Sequence, residues 1–329
     1  MRICIISPTP ITDKEKGWGG VHTHTEMVCN IITKLGHVVT LLTASHPKGL
    51  SEEWYNGIHI VYIREVGSAF VSGKDFRRVK EAFLNLHLKN PFHCVFSEGN
   101  SACMLKKYKT ARNLPLIYIV HIPGFTHFYN IWNEVCSVRT FIHYLLKTVP
   151  KILYRVIFWE KPLAHFSTKI LSPSALKAKQ LCRFYNVSPE KVEVLSNWVD
   201  IEIFKPDNKK KSNSRKKWLV SENELVFMVS GGIWRPKGFH IAIQSFSNIV
   251  RSFSNSVLLI CGAGMEKEEK FLTNLVQKEK IENRVRFLGK FKLSELPLIY
   301  NMADIFLMPS LMSEGHAYTL IEAMACGLP

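Results

Sequence analysis

Residues 1–45 read MRICIISPTPITDKEKGWGGVHTHTEMVCNIITKLGHVVTLLTAS, and the order of features along them decides the fold. The apolar run that ends at Pro8 has the length and continuity of a strand buried on both faces. GWGG at residues 17–20 makes a glycine loop. After it, Val21, Met27, Val28, Ile31, Ile32 and Leu35 fall on one helical face, and Gly36 stands where a C-cap belongs. HVVTLLTAS supplies a second buried strand. Strand, glycine loop, helix and strand form a βαβ unit, whose two strands run parallel.

The same rhythm continues outward. Strands are expected at residues 58–63, 94–97, 116–121 and 169–172, with helices most clearly at 76–89 and 175–185, so the first half is an open α/β sheet. The second half alternates ELVFMVSG, a helix at 239–253, SVLLICG, a helix around 267–280, RVRFLG, a helix near 293–302, DIFLMPS and a final helix before GLP. No strand follows that helix, so a doubly wound sheet of six strands is incomplete and the strand at 304–310 is left as an open edge. The chain therefore reads as C-terminally truncated. Between the halves, residues 206–217, PDNKKKSNSRKK, lack apolar side chains. They read as a basic linker between a domain at 1–205 and a second at 218–329, with lysines that are either solvated or in contact with phosphates.

Composition excludes several classes. With 329 residues, 47% of them hydrophobic and 21% charged, the chain has material for two cores and is neither disordered nor a peptide-sized scaffold. No run approaches the roughly 18 apolar residues of a spanning helix, and Pro8 interrupts the opening before a secretory core forms, so the chain reads as cytosolic. Eight cysteines lie far apart without zinc-box spacing and read as reduced core thiols. Lys and Arg number 43 against 27 Asp and Glu, and the net charge of +16 calls for an anionic partner. Residues 139–166 interleave aromatics and leucines with Arg139, Lys147, Lys151, Arg155 and Lys161. They read as a basic amphipathic helix pair broken at Pro150, either lying on a membrane surface or packed on the sheet with snorkelling lysines.

SEGHAYTLIEAMACGLP at residues 313–329 carries the strongest chemical signal. Glu314 follows a buried strand, and Glu322 comes eight residues later inside an apolar helix. Eight helical residues rise roughly 12 Å, which holds two carboxylates apart along one ligand. Between them the N–H groups near Tyr318, Thr319 and Leu320 form a helix N-terminus suited to phosphate. Diol, phosphate and diol outline a nucleotide sugar, with Glu322 on the ribose and Glu314 on the transferred sugar. The alternative on spacing alone is a solvated helix residue and a loop charge. VSGGIWRPKGF at residues 229–239 adds a glycine turn at Gly231 and Gly232, and Lys237 as a point charge for a diphosphate or as a solvent-facing lysine.

Gly19 and Gly20 precede the first helix, and His121 ends the strand LIYIV, so all three belong to the carboxyl edge where open α/β sheets bind ligands. His121 also admits a purely structural reading. His22 and His24 point to different faces of their helix with no carboxylate cluster joining them, and no acidic DxD pair is present, so no metal site is expected. GAGMEK at residues 262–267 has Lys267 at the third glycine position of a dinucleotide fingerprint, and P-loop and GxSxG motifs are absent from the sequence. Nucleic-acid recognition motifs are absent too, so no nucleic-acid partner is expected.

Together these motifs resemble glycosyltransferase family 4, the retaining enzymes of the GT-B fold, in which two Rossmann-like domains face a cleft. The resemblance covers almost the whole chain; its most specific part is the Glu-x7-Glu pattern of SEGHAYTLIEAMACGLP, supported by the GG before the first helix, LSNWVDIEIFKP and PKGF. It implies transfer of a sugar from a UDP or GDP sugar to an acceptor hydroxyl, with retention and without a metal or other cofactor. It assigns Glu314 to the donor sugar, Glu322 to the ribose, Lys237 to the leaving diphosphate, the loop of Gly19 and Gly20 to diphosphate or sugar, and His121 to the reacting centre. The implied partners are a nucleotide-sugar donor and a lipid-linked or saccharide acceptor, in glycolipid or surface polysaccharide synthesis. The implied location is the cytoplasm, with peripheral contact to an anionic inner membrane face. Gly232 stands where the family often has an arginine, a role for which Arg235 is the candidate, and Trp198 stands where glycine is usual. A sugar-nucleotide epimerase of the same architecture and a non-catalytic truncated product are the alternatives.

Overall fold

The computed structural model describes residues 1–12, 19–67, 70, 72–107, 113–121, 123, 141–142 and 144–329. They fall into two compact units, the first within residues 1–196 and the second Asn197–Pro329. The chain passes between units before the basic run at 206–217, which is not an extended linker, because Asn208–Lys217 is helical.

The first unit opens with β1 (Arg2–Ile6), α1 (Gly20–Lys34) and β2 (Val38–Thr43), the parallel unit read from the sequence. β3 (Glu52–Tyr55), β4 (Ile58–Tyr62), α2 (Gly73–Lys89), β5 (Cys94–Glu98) and β6 (Leu116–Ile119) follow. Then come α3 (Val149–Arg155), α4 (Lys161–Phe166), β7 (Lys169–Ser172), α5 (Ala175–Tyr185) and β8 (Val192–Val194). The eight strands stand in the order β3-β4-β2-β1-β5-β6-β7-β8, parallel except for the β3/β4 pair. Strand order reverses between β1 and β5, and open α/β sheets bind ligands outside the carboxyl ends at such a point. α2 starts three residues before its apolar pattern because Ser72 and Asp75 close a capping box, with Asp75 N donating to Ser72 Oγ (3.1 Å) and Ser72 N to Asp75 Oδ2 (2.9 Å).

Pro150 does not break the amphipathic stretch. Tyr144–Thr148 and Val156–Glu160 are π-helical turns that alternate with α3 and α4, and Pro150 and Pro162 each lie in the first turn after one of them. A missing N–H costs least at the start of an α segment, so the helix continues through both prolines. Arg139 lies outside the described residues.

The second unit contains α6 (Asn208–Lys217), β9 (Leu225–Ser230), α7 (Phe239–Ser252), β10 (Ser256–Cys261) and α8 (Glu266–Glu279). β11 (Val285–Gly289), α9 (Leu296–Tyr300), β12 (Ile305–Leu307) and α10 (Tyr318–Ala325) complete it. Its parallel sheet has the order β11-β10-β9-β12, buried between two apolar clusters around Met228 and Leu259 on one face and Phe227 and Leu258 on the other. β12 is an edge strand, as expected, and its Phe306 N–H donates to Pro329 O (2.9 Å). Among the described cysteines, all seven are free thiols.

α6 has no apolar face, and two of its side chains reach Asp304: Lys211 Nζ donates to Oδ1 (2.6 Å), and the buried Arg215 makes the larger set of bonds. The Arg215 guanidinium, 2% exposed, donates from Nε to Met302 O (3.1 Å), from Nη1 to Glu222 O (3.0 Å) and Glu224 O (3.2 Å), and from Nη2 to Asp304 Oδ2 (2.8 Å). Asp304 also accepts from Val226 N (2.8 Å), so this fork ties the polar helix to the start of β9 and β12. Removing one partner of a buried ion pair costs about 3–5 kcal/mol. Arg215→Ala is expected to lose that much in urea unfolding, while Lys216→Ala on the exposed face changes stability by less than about 0.5 kcal/mol; equal effects would show that the fork is not the anchor.

Candidate active site

In the second unit the loops after β9 and β12 are forced together by backbone contact. Gly238 has φ +75°, and a Cβ there would lie 1.9 Å from Pro309 O, so only glycine fits between the turn Arg235–Lys237 and the loop after β12. Leu311 N donates to Pro236 O (2.8 Å) across the same seam. This seam brings Lys237 Nζ to 2.7 Å from Glu314 Oε1, an oxygen that also accepts from Ser310 Oγ (2.9 Å). The pair is half-buried, so Lys237 is neither a bare nor a fully solvated charge.

α10 begins just beyond Glu314. Its N-cap, Ala317, offers no side-chain cap, and the intrahelical bonding begins with Ile321 N donating to Ala317 O (3.3 Å). The N–H groups of Tyr318, Thr319 and Leu320 therefore point out of the helix start, at the positive end of its dipole. Gly231, at φ +137°, faces this turn, with Thr319 Cγ2 3.9 Å from where its Cβ would be. Gly262 and Gly264 do different work: side chains there would strike Gly231 O at 1.8 Å and Ile233 O at 2.0 Å, so the GAG of GAGMEK serves loop packing.

Glu322 lies one turn into α10 and is 3% exposed. It is thus not a solvated helix residue. Burial raises its carboxyl from 4.5 to about 7, against the lowering effect of the hydrogen bond that Tyr300 Oη donates to Oε2 (2.8 Å). Tyr300 also bonds the side chain of Ser230 at the carboxyl end of β9. Asn197, from the segment before α6, donates from Nδ2 to His316 O (2.5 Å) and steadies the loop between the two glutamates. Arg235 goes elsewhere. Its guanidinium lies 4.5 Å over the Phe271 ring and lines a small pocket with His240 and Glu268, so the structure does not bring it to the Lys237–Glu314 pair.

In the first unit Gly19 caps α1 and Gly20 opens it, both exposed, and a Cβ at Gly19 would meet open space; Gly17 and Trp18 lie outside the described residues. His121 follows β6 and is hydrogen-bonded from Nε2 to Glu98 Oε2, while His24 Nδ1 lies 3.0 Å from Glu98 Oε1. A carboxylate therefore does join His24, contrary to the expectation that none would. The three candidate ligand atoms lie within 4.8 Å of one another, but each ring nitrogen faces its own carboxylate oxygen at hydrogen-bond distance. The sequence did signal Glu98: a charge that ends an apolar strand and precedes Gly-Asn-Ser lies at a ligand edge. Tyr300 had no such signal.

Known proteins resemble this chain in sequence and in fold. Residues 18–203 match the family model described as Glycosyltransferase Family 4, and residues 210–329 match Glycosyl transferases group 1. The chain is 26% identical to a D-inositol 3-phosphate glycosyltransferase of Segniliparus rotundus, over 55% of this chain and 40% of that protein. It is 22% identical to the phosphatidylinositol N-acetylglucosaminyltransferase GPI3 subunit of Saccharomyces cerevisiae, over 94% of this chain and 64% of that one. The chain thus spans about half the length of these curated relatives. A sucrose-phosphate synthase from Thermosynechococcus elongatus superposes with a TM-score of 0.80 at 18% identity, over 100% of this chain and 80% of that one, and shares the two Rossmann-like units of the GT-B fold.

The raised Glu322 carboxyl has a consequence for stability. The folded chain binds this proton more tightly than an unfolded chain with the ordinary value of 4.5. The group's stabilising contribution is therefore fully present below about pH 4.5 and is lost as pH rises through about 7. Glu322→Gln is expected to be more stable than the parent at pH 8, on the order of 2 kcal/mol, with the gap closing toward pH 5. Thermal unfolding across that range checks it, and a gap independent of pH would remove the assignment.

Proposed function

The chain belongs to glycosyltransferase family 4, and on that premise we propose that it moves a hexose-type sugar from a UDP or GDP sugar to an acceptor hydroxyl. Retention at the anomeric carbon and independence of a metal are part of this reading. The observation that carries it is the run Lys237, Glu314, the open start of α10 and Glu322 along one edge of the second unit.

Each part has a task that its chemistry fits. Glu322, once ionised, accepts hydrogen bonds from two vicinal hydroxyls, and the ribose diol supplies them. Its raised carboxyl, whose side-chain hydrogen-bond partner among the described residues is a phenol, is a strong acceptor waiting for donors. Tyr318, Thr319 and Leu320 offer backbone N–H groups to a phosphate, and Gly231 leaves room for it. Lys237 has two ammonium protons beyond the one it gives Glu314, and these stabilise charge growing on the leaving diphosphate. Glu314 holds hydroxyls of the transferred sugar. In the first unit, the loop of Gly19 and Gly20 is given to the diphosphate or the transferred sugar, and His121 to the reacting centre. Nothing in this scheme needs a cofactor, because the nucleotide sugar is itself the donor.

The reading extends to an acceptor carried on a lipid, in glycolipid or surface polysaccharide synthesis at the cytoplasmic membrane face. Along the helix from Tyr144 to Phe166, Leu145, Leu146, Leu153, Tyr154, Ile157 and Phe158 are exposed, and Lys147, Lys151 and Lys161 lie among them. Exposed apolar residues flanked by lysines, on a chain of net charge +16, suit an anionic surface. No helix among the described residues is long and apolar enough to cross a membrane.

Titration calorimetry with UDP and with GDP tests the donor site. Binding of one nucleotide is expected, weakened in Glu322→Ala by about 1.5–3 kcal/mol, the range for hydrogen bonds to a charged group; affinity unchanged by the mutation would remove the ribose assignment. Sedimentation with liposomes tests the surface. The protein is expected to pellet with anionic but not neutral vesicles and to lose this in Leu146→Glu/Phe158→Glu, whereas recovery in the supernatant with anionic lipid would end the membrane reading.

A further inference from the structure

Glu98 is the most buried charge at the ligand edge of the first unit. Its side chain is 0% exposed, against 3% for His24 and 17% for His121. Burial alone would raise its carboxyl, yet His121 and His24 beside it, by charge when protonated and by hydrogen bond in either state, bring it down to about 2. A carboxylate kept ionised in so dry a place demands donors on both oxygens, and here each oxygen has one imidazole.

The backbone that carries Glu98 is fixed as firmly as its side chain. Gly99, at φ +58°, donates N–H to Ile119 O (2.9 Å), Ser101 Oγ donates to Glu98 O (2.6 Å), and Ser97 Oγ accepts from Ala102 N (2.9 Å). These bonds clamp the turn after β5 to β6, the strand that delivers His121. The His24 and His121 rings meet edge to face, with centroids 4.9 Å apart and planes at 82°.

We propose that Glu98 is a positioning residue, which fixes His121 as the tautomer protonated on Nε2 and so presents Nδ1 as an acceptor for a hydroxyl of the incoming sugar acceptor. His24 holds the second carboxylate oxygen through its own Nδ1–H and keeps Glu98 from rotating away. A neutral imidazole with one nitrogen committed as donor has the other as acceptor, and a buried carboxylate is the partner that sets which is which. His121 alone of the three reaches solvent, so the chain ends the relay at the one ring a substrate can touch. The hydroxyl partner rests on the glycosyltransferase reading above; the tautomer does not.

The test reads the rings directly. With 15N-labelled histidine, the two signals are assigned by their loss in His121→Asn and in His24→Asn. The folded wild-type protein at pH 8 is expected to show opposite tautomers, with the proton on Nε2 of His121 and on Nδ1 of His24. A proton on Nδ1 of His121 overturns the proposal, and this outcome needs no variant of Glu98 to fold. In Glu98→Ala, His121 is expected to become a tautomer mixture, and turnover to fall about tenfold to a hundredfold with donor KM within about twofold; Glu98→Asp, which keeps the charge, recovers part of the rate. A His121 signal unchanged in Glu98→Ala counts against the proposal. So does stoichiometric Zn2+ that shifts both rings in the wild type, which would make the cluster a cation site. Absence of any transfer by the wild type would count against the proposed function and leave the tautomer result to decide this inference.

Discussion

The carbonyl of Pro309 lies where a side chain on residue 238 would begin. That contact sets the geometry of the second unit's edge, because parallel strands deliver their loops to one side of a sheet and leave the loops to find their own packing. Here the loops lock through the backbone. Gly238 admits Pro309 O, Gly262 admits Gly231 O, Gly264 admits Ile233 O, and the Leu311–Pro236 hydrogen bond closes the seam. The Lys237–Glu314 pair follows from it, since a half-exposed ion pair gains too little by itself to draw two loops together. Ordering is done by glycine and main-chain hydrogen bonds, and the charged groups inherit their positions.

Three buried carboxylates show how environment assigns roles to one functional group. Glu160 is bonded to the Arg155 guanidinium and the Tyr185 hydroxyl inside the first unit and is satisfied by the fold alone. Glu98 is matched by two imidazoles, one of which reaches solvent. Glu322 has a phenol, and its proton is correspondingly hard to remove. The progression is from a group complete without a ligand to one that a ligand would complete. A buried polar group short of donors stores a cost of about 1–3 kcal/mol, which binding can release, and this is why the stability and the binding effects at Glu322 are expected to oppose each other.

Most of the fold was legible because both faces of the sheets are covered. β1, β2, β9 and β10 are continuous apolar runs, and such runs announce themselves without an alternating pattern. β3, EEWY, and β8, VEV, were silent because edge strands need carry no such signal: one is polar and leaves Trp54 exposed, the other is three residues long. The basic run at 206–217 misled for a related reason. Its helix is held by Arg215 and Lys211, long polar side chains reaching partners far along the chain, and no local pattern marks residues that act at such distance. Pro150 misled because a π turn before it places the ring where no N–H is missed.

The site residues divide along the same line. Glu314, Lys237 and the start of α10 are close in sequence to glycine turns and strand ends, so their chemistry and their position are read together. Arg235 shows the limit: two residues from Lys237 and of like charge, it takes the Phe271 face, because the 3-10 turn that aims Lys237 at Glu314 carries Arg235 to the other side. Spacing fixes direction only where the secondary structure is known to the residue. Tyr300 and His24 belong to the opposite case, since each meets its carboxylate across a sequence gap that no motif spans. What unites them is burial beside a charge, a property of the folded chain, and it is there that the donor and acceptor states of these groups are set.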